Sequence, residues 1–355
     1  MAQEFLVISL RNQTVFEQLL QEADEHSSVV IGLEVVSPKL ADKLFLNIDP
    51  QHTDKRSDSS AILEVLNQRE DLLKKIEDKK IIMVTERADV DSVGAMAILR
   101  LAMSERAHDL NSEELASRVV QVNDFDIAAF NRKWAPTSID EAICHNTKIA
   151  GIHKAIGDFK LPMAEKVKIM DEWLLTGQQP QNYVEAFNQD VGKIKEGIKD
   201  GTIHIEQTEK GMTILESTLP LAPLIGYSYT PVVVALNDQF IDPVSKSKTV
   251  KYTIAQYNGV DFLNVQNLTQ SLNALENAAD NKWGGNPNLV ASPMGVGTKL
   301  AKDDILRLTE ENIKPGLIEF ITQAYEEKNG AIDTPSNYEE LGFSGNSSFV
   351  DAVSD

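Results

Sequence analysis

The sequence predicts an α/β protein of two domains joined by helices. Three observations carry that prediction. Apolar, strand-like runs alternate with amphipathic stretches over the first 135 or so residues, the stretch from about Ser138 to Lys199 is almost wholly helical, and a second set of strand-like runs begins at Gly201. A chain of 355 residues is also too long for one small core.

In the first region, Phe5-Leu6-Val7-Ile8, Val29–Val36 and Leu44–Ile48 are rich in β-branched and aromatic residues and are bounded by polar turns, so they read as buried strands. Between the first two, Val15, Leu19, Leu20 and Ala23 recur at helical spacing; Ile62, Val65, Leu66, Leu72, Leu73 and Ile76 repeat the pattern, with Ser59 or Ser60 as N-cap. A strand at Lys80–Val84, a helix carrying Val93, Met96, Ala97, Leu99 and Leu101, and a further strand at Arg118–Val122 complete the region. Near-continuous apolar strands separated by helices imply a parallel sheet covered on both faces.

The expected organisation is thus a parallel-sheet domain over residues 1–135, a helical connector over 136–200, a smaller α/β domain over 201–330 and an acidic, flexible tail over 331–355. The connector's clearest apolar stripes are Trp173-Leu174-Leu175 and Val184, Phe187, Val191, Ile194 and Ile198. The second domain is read from strand-like runs at 202–206, 211–215, 231–235 and 250–255.

Composition limits the chemistry. Lys and Arg total 34 against 54 Asp and Glu, a formal charge of −20 that repels phosphate backbones and anionic lipid, so nucleic acid is disfavoured as a partner and a membrane surface is not expected. No run approaches the ~18 apolar residues of a membrane span. The start of the chain lacks a basic, apolar leader. With the single cysteine, Cys144, these features predict a cytoplasmic protein without an intrachain disulfide or a thiolate metal cage, whose ligands are oxygen and nitrogen. A homo-oligomer is compatible with the sequence.

Four segments can carry chemistry. In Thr85–Ala95, Asp89 and Asp91 stand at i and i+2 between a strand and a helix, where ligands gather in parallel sheets. Either both carboxylates reach a divalent cation, with Gly94 letting the helix approach the sheet, or they cap the helix. Asp49 and His52 follow another buried strand; they suit Mn²⁺, or they belong to an Asp-Pro turn. Asp124 and Asp126 end the run at 118–122, and three acidic clusters converging on one sheet edge would repel one another unless a cation is bound. In Trp283–Thr298, the glycines expose backbone N–H groups that can cradle a phosphate, or they form an ordinary Gly/Pro-rich loop. The segment fits no nucleotide fingerprint. His26, His108, His145, His153 and His204 fall outside these clusters.

The Asp-x-Asp-Ser-x-Gly-Ala turn at 89–95, the helical connector and a Gly-Gly-x-Pro loop at 284–287 together resemble the DHH phosphoesterases with their DHH-associated C-terminal domain, over roughly residues 40–310. The resemblance implies a DHH-like first domain, a DHH-associated second domain, and Mn²⁺ or Mg²⁺ serving hydrolysis of a phosphodiester, pyrophosphate or polyphosphate in a cleft between them. Asp89 and Asp91 match the family's first element, with Arg87 standing where its histidine belongs. Asp124 or Asp126 corresponds to a separate aspartate. Asp49 and His52 resemble an Asp-His-His element interrupted by Pro50 and Gln51 and placed before, rather than after, the Asp-x-Asp turn; either the domain is circularly permuted or this match is accidental. Gly284 and Gly285 keep the glycines of the family's substrate loop, and Asn286 replaces its histidine.

The implied site has Asp89, Asp91, Asp124, Asp49 and His52 as metal ligands, Asp91 and Arg87 as catalytic groups, and Gly284, Gly285, Asn286 and Ser292 as contacts to a small phosphorylated ligand. A metal-dependent phosphohydrolase is the first expectation. The second is a family member that has lost its metal and turnover and binds a small anion or a protein partner.

Overall fold

The computed structural model describes residues 3–8, 13–50, 59–76, 79–126, 134–139, 148–219, 225–241, 246–257, 259–277, 282–293 and 297–329. They fall into two compact units, one drawn from Met1–Phe130 and Thr147–Phe187, the other from Asn131–Asn146 and Asn188–Asp355. The stretch expected as a connector is therefore shared between the two units. The tail from Ala331, His52, and the adjacent Cys144 and His145 lie outside the described residues.

The first unit is built on four parallel strands, β1 (Gln3–Val7), β2 (Ser28–Leu33), β3 (Leu46–Ile48) and β4 (Lys80–Thr85), in the order β1-β4-β2-β3. Successive side chains on a strand face opposite ways, and the apolar runs use both faces. Val29, Ile31, Leu33, Ile81 and Met83 enter one core, whereas Val30, Ile82 and Val84 enter another with Phe16 and Ala23 of α1 (Gln13–Glu25) and Leu40 of α2 (Pro38–Ala41). The larger core holds α3 (Ala61–Lys75), α4 (Val90–Ala102), α5 (Glu113–Asp126), α6 (Ala150–Ile156) and α7 (Met163–Thr176).

Helix α4 is apolar all round and is buried at every residue but Arg100, as expected of a helix enclosed by others. Gly94 makes room for Ile62 of α3 rather than for the sheet, since a Cβ there would lie 2.5 Å from the Ile62 Cδ1.

The expected strand at 118–122 is part of α5. Its β-branched residues suggest a strand, but Leu115, Val119 and Val122 recur at helical spacing and are buried, while Val120 between them is exposed. The Ser112 hydroxyl accepts a hydrogen bond from Leu115 N at the start of the helix, and Glu113 and Glu114 favour its first turn.

After α8 (Gln181–Asp200), the second unit contains a six-stranded mixed sheet of β5 (His204–Gln207), β6 (Thr213–Glu216), β7 (Val232–Ile241), β8 (Lys248–Gln256), β9 (Gly284–Asn286) and β10 (Leu289–Ala291), ordered β5-β6-β7-β8-β10-β9. Helices α9 (Val265–Glu276), α10 (Lys302–Glu311) and α11 (Leu317–Asn329) accompany it. The mixed α/β architecture, with a parallel sheet first and a second sheet after the helices, is the one the sequence predicts. Among the described residues, no helix is long and apolar enough to cross a membrane.

Candidate metal centre

Strands β2, β3 and β4 run parallel and end at one edge of the first sheet, so the residues that follow them are brought together there. Glu34 follows β2, Asp49 follows β3 beside it in register, and Asp89 and Asp91 follow β4. Helix α5 ends at the same place with Asp126. Carboxylate oxygens of Glu34, Asp91 and Asp126 all lie within 4.8 Å of one another.

The two aspartates of the Asp-x-Asp turn are capped and capping at once. Asp89 is the N-cap of α4: its Oδ1 accepts from Ser92 N at 2.9 Å, and its own N–H donates to Ser92 Oγ at 3.3 Å. Asp91 is fully buried and serves a different helix. Its Oδ2 accepts from Ala61 N and its Oδ1 from Ile62 N, each at 2.8 Å, so the first turn of α3 is held from across the core. Ser60 is the N-cap residue of α3, as the sequence predicts, but its side chain makes no capping bond; Asp91 supplies that function, and Asn123 accepts from Ser60 N.

Electrostatic tension remains after these bonds are counted. Burial, the Asp89 charge and then the charges of Asp91 and Asp126 push the Glu34 carboxyl well above its ordinary range, and a hydrogen bond to Asp91 acts in the same direction. Burial and Asp89 push Asp91 up to about 6 against the opposing pull of the two backbone N–H groups. Glu34 also holds a left-handed backbone at φ 58°, uncommon for a residue with a side chain, while its N–H donates to Ile48 O at 3.0 Å.

The carboxylates that the structure brings together are not the set singled out in the sequence. Glu34 was not among the candidates; its signal was a lone carboxylate inside the apolar run Val29–Val36. From the third acidic pair, the cluster takes Asp126 and not Asp124. The cause is the helix: residues two apart point in nearly opposite directions there, whereas on a strand they would share a face. Asp124 is raised by its own burial. Asp89 acts on the cluster through its charge, and Asp49 lies at the same edge without joining the three.

Two further groups flank this centre. Arg87 is exposed and forms no ion pair among the described residues, so the salt bridge that an acidic chain would offer it is not made. His153 of α6, set aside on sequence grounds, is half-buried with its ring 5.0 Å from that of Phe125, which precedes Asp126. Burial and the charges of Arg87 and Lys154 lower the imidazole to about 4, against the pull of Asp89. Its signal in sequence was absent, because it is brought here by tertiary packing from more than sixty positions away (153 against 87).

The expected anion loop of the second unit is an edge hairpin. Gly284–Asn286 pairs antiparallel with Leu289–Ala291, and a Cβ on Gly285 would lie 2.1 Å from Leu289 O. Ser292 is buried; its N–H donates to Tyr252 O, and its hydroxyl accepts from Tyr252 N, both at 3.0 Å. The glycine and the serine thus have structural work in this hairpin. Glu276 fastens the segment's two ends, accepting from Trp283 Nε1 at 3.1 Å, Lys299 N at 2.9 Å and the Thr298 hydroxyl.

The fold and site together describe a two-unit α/β protein with a carboxylate centre at the carboxyl edge of a parallel sheet. No family model matches the sequence, and no curated protein is similar to it. Among solved structures, the chain is similar to the pGpG-specific phosphodiesterase PggH from Vibrio cholerae, at 10% identity and a TM-score of 0.37, covering 84% of this chain and 99% of that one. It is also similar to the DHH domain of a member of a ribosomal-protein family, at 11% identity and a TM-score of 0.29, covering 86% and 92%.

Proposed function

We propose that this chain is a metal-dependent phosphohydrolase, with Glu34, Asp91 and Asp126 holding a divalent cation and Asp89 reinforcing the site by its charge. One observation carries the reading: three carboxylates within 4.8 Å, two of them buried and both pushed toward protonation by that burial and by the charge of Asp89, Glu34 by the charges of Asp91 and Asp126 as well. Such a group is unstable as anions alone, and a cation relieves it. The donors are all carboxylate oxygens, which suit Mg²⁺ or Mn²⁺. When bound, the ion would polarise a phosphoryl oxygen and acidify a water molecule. Arg87, exposed and without an ion pair among the described residues, has the fork geometry to take two phosphate oxygens. The substrate class is the one the sequence resemblance implies: a phosphodiester, a pyrophosphate or a polyphosphate.

A second reading, binding of a small anion without turnover, is favoured by one observation. Both oxygens of Asp91 already accept N–H groups of α3, which leaves it less free to serve chemistry. The deciding experiment assays hydrolysis of pyrophosphate, a dinucleotide and a generic phosphodiester with Mn²⁺, beside calorimetric binding of the same compounds. Turnover that is lost in Asp126→Asn establishes the hydrolase, binding without turnover establishes the second reading, and neither result with any of the three ligands defeats both.

A further inference from the structure

We propose that the Ser60 hydroxyl is a further ligand of the acidic centre, a neutral oxygen donor to the divalent cation held by Glu34, Asp91 and Asp126. The proposal rests on the reading of that centre as a metal site and adds to it the residue that opens α3.

Ser60 is fully buried, and its Oγ has no hydrogen-bond partner among the described residues. A serine at the N-cap of a helix ordinarily turns its hydroxyl to the N–H groups of the first turn. Ser60 has the extended backbone of that position, at φ −88° and ψ 166°, but its side chain makes no capping bond. Asp91 has taken its place, accepting from Ala61 N and Ile62 N, each at 2.8 Å. A buried hydroxyl left without a partner is costly and calls for an explanation such as a missing ligand.

The position of Ser60 is fixed from two sides. Asp91 Oδ2 lies 2.8 Å from Ala61 N, the next backbone nitrogen after Ser60, and the N–H of Ser60 donates to Asn123 Oδ1 at 2.8 Å. Asn123 stands three residues before Asp126 on α5, so the two share a helix face. Ser60 is thus held between α4, which carries Asp91, and the face of α5 that carries Asp126. Its hydroxyl is near enough to Asp91 to draw that carboxyl downward against burial, without the alignment of a hydrogen bond.

Charge and donor number choose the ligand chemistry. A fourth carboxylate would add to a group already in mutual repulsion, whereas a hydroxyl adds an oxygen and no charge. Small divalent cations take more oxygens than three carboxylates supply one by one, and a serine hydroxyl serves Mg²⁺ in this way at phosphate-binding loops. Each Asp91 oxygen accepts one N–H and keeps a second lone pair, so holding α3 and binding an ion are compatible.

The test uses the full chain and calorimetry with Mg²⁺, Mn²⁺ and Cd²⁺, each alone. Ser60→Ala removes no hydrogen bond of the fold; it should keep the metal-free thermal midpoint and lose about tenfold in Mg²⁺ and Mn²⁺ affinity, the scale of a lost contact to a charged group. Ser60→Cys should recover no Mg²⁺ affinity, because a hard cation disfavours sulfur, and should bind Cd²⁺ about tenfold more tightly than the unaltered chain, because a soft one favours it. Cys144 is present in both chains and cancels in that comparison. A hydroxyl with a purely structural role would move the metal-free midpoint and leave the preference between Mg²⁺ and Cd²⁺ unchanged.

Either variant decides the matter if the other does not fold. Unchanged Mg²⁺ and Mn²⁺ affinity in Ser60→Ala, or unchanged Cd²⁺ affinity in Ser60→Cys, overturns the proposal and leaves the three-carboxylate site standing. Absence of Mg²⁺ and Mn²⁺ binding by the unaltered chain overturns the metal reading and the proposal together.

Discussion

Buried polar groups in the first unit meet a different fate from those in the second. Asp91 and Glu34 are enclosed beside Asp126 and Asp89, and even with two N–H groups donated to Asp91, both carboxyls are driven above their ordinary range. Ser292 is comparably buried, yet it exchanges two hydrogen bonds with the Tyr252 backbone. Glu276 of the same unit shows the other outcome for a carboxylate: three donors and Lys299 hold it below its ordinary range despite its partial burial. A polar residue whose bonds are complete explains itself structurally. One left in conflict with its neighbours points to something that has yet to bind.

The contrast can be broken most forcefully at Asp91. Asp91→Ala removes the acceptor for Ala61 N and Ile62 N and should lower unfolding free energy by about 3 kcal/mol, because two buried donors lose their partner; denaturant unfolding measures it, and a loss below about 1 kcal/mol would mean that water replaces the cap. Gly285→Val attacks the other region. With a Cβ 2.1 Å from Leu289 O, pairing of β9 with β10 must yield, at about 2 kcal/mol by the same measurement. Ser292→Ala should cost about 1.5 kcal/mol by stranding Tyr252 N, and leave Mn²⁺ affinity unchanged.

Glu34→Gln sharpens the comparison through pH. Glu34 and Asp91 bind protons more tightly in the folded chain than in the unfolded one, so their stabilising contribution is full at low pH and is lost as pH rises through about 6, the value to which Asp91 is pushed, and above. The metal-free variant should therefore gain on the unaltered chain by an amount that grows with pH, reaching about 1 kcal/mol near neutrality. His153 works in the opposite direction: its lowered value makes stability fall as pH drops from about 6.5 toward 4. Subtracting one melting curve from the other at each pH removes that contribution, and a difference that shrinks with rising pH would contradict the assignment of Glu34.

Much of the fold was legible because burial imposes simple periods. The runs at 5–8, 29–36, 44–48 and 80–84 could be read as strands from their β-branched and aromatic residues. Strands β2 and β4 are covered on both faces, whereas Leu6 and Val7 of the first run and Phe45 of the third are exposed, against the expectation that all were buried. The helical and second-sheet regions followed from changes of period. At 118–122, β-branched valines outweighed the wider spacing of Leu115, Val119 and Val122. The Asp-x-Asp turn was legible as a site or a cap, and Asp91 is placed to be both. Glu34 and His153 were not, because their positions depend on strand order and on a distant helix packing against α5, which no local pattern encodes.

The central claim is that the carboxylate conflict at Glu34, Asp91 and Asp126 is resolved by a divalent cation. It is tested most directly by the thermal midpoint of the chain with and without Mn²⁺, in the unaltered protein and in Asp126→Asn. The account predicts that Mn²⁺ at about one hundred times its dissociation constant stabilises the unaltered protein by about 2.7 kcal/mol, a rise of several degrees, and that Asp126→Asn abolishes the rise. An unaltered midpoint with both Mn²⁺ and Mg²⁺, or a rise that persists in Asp126→Asn, would contradict it.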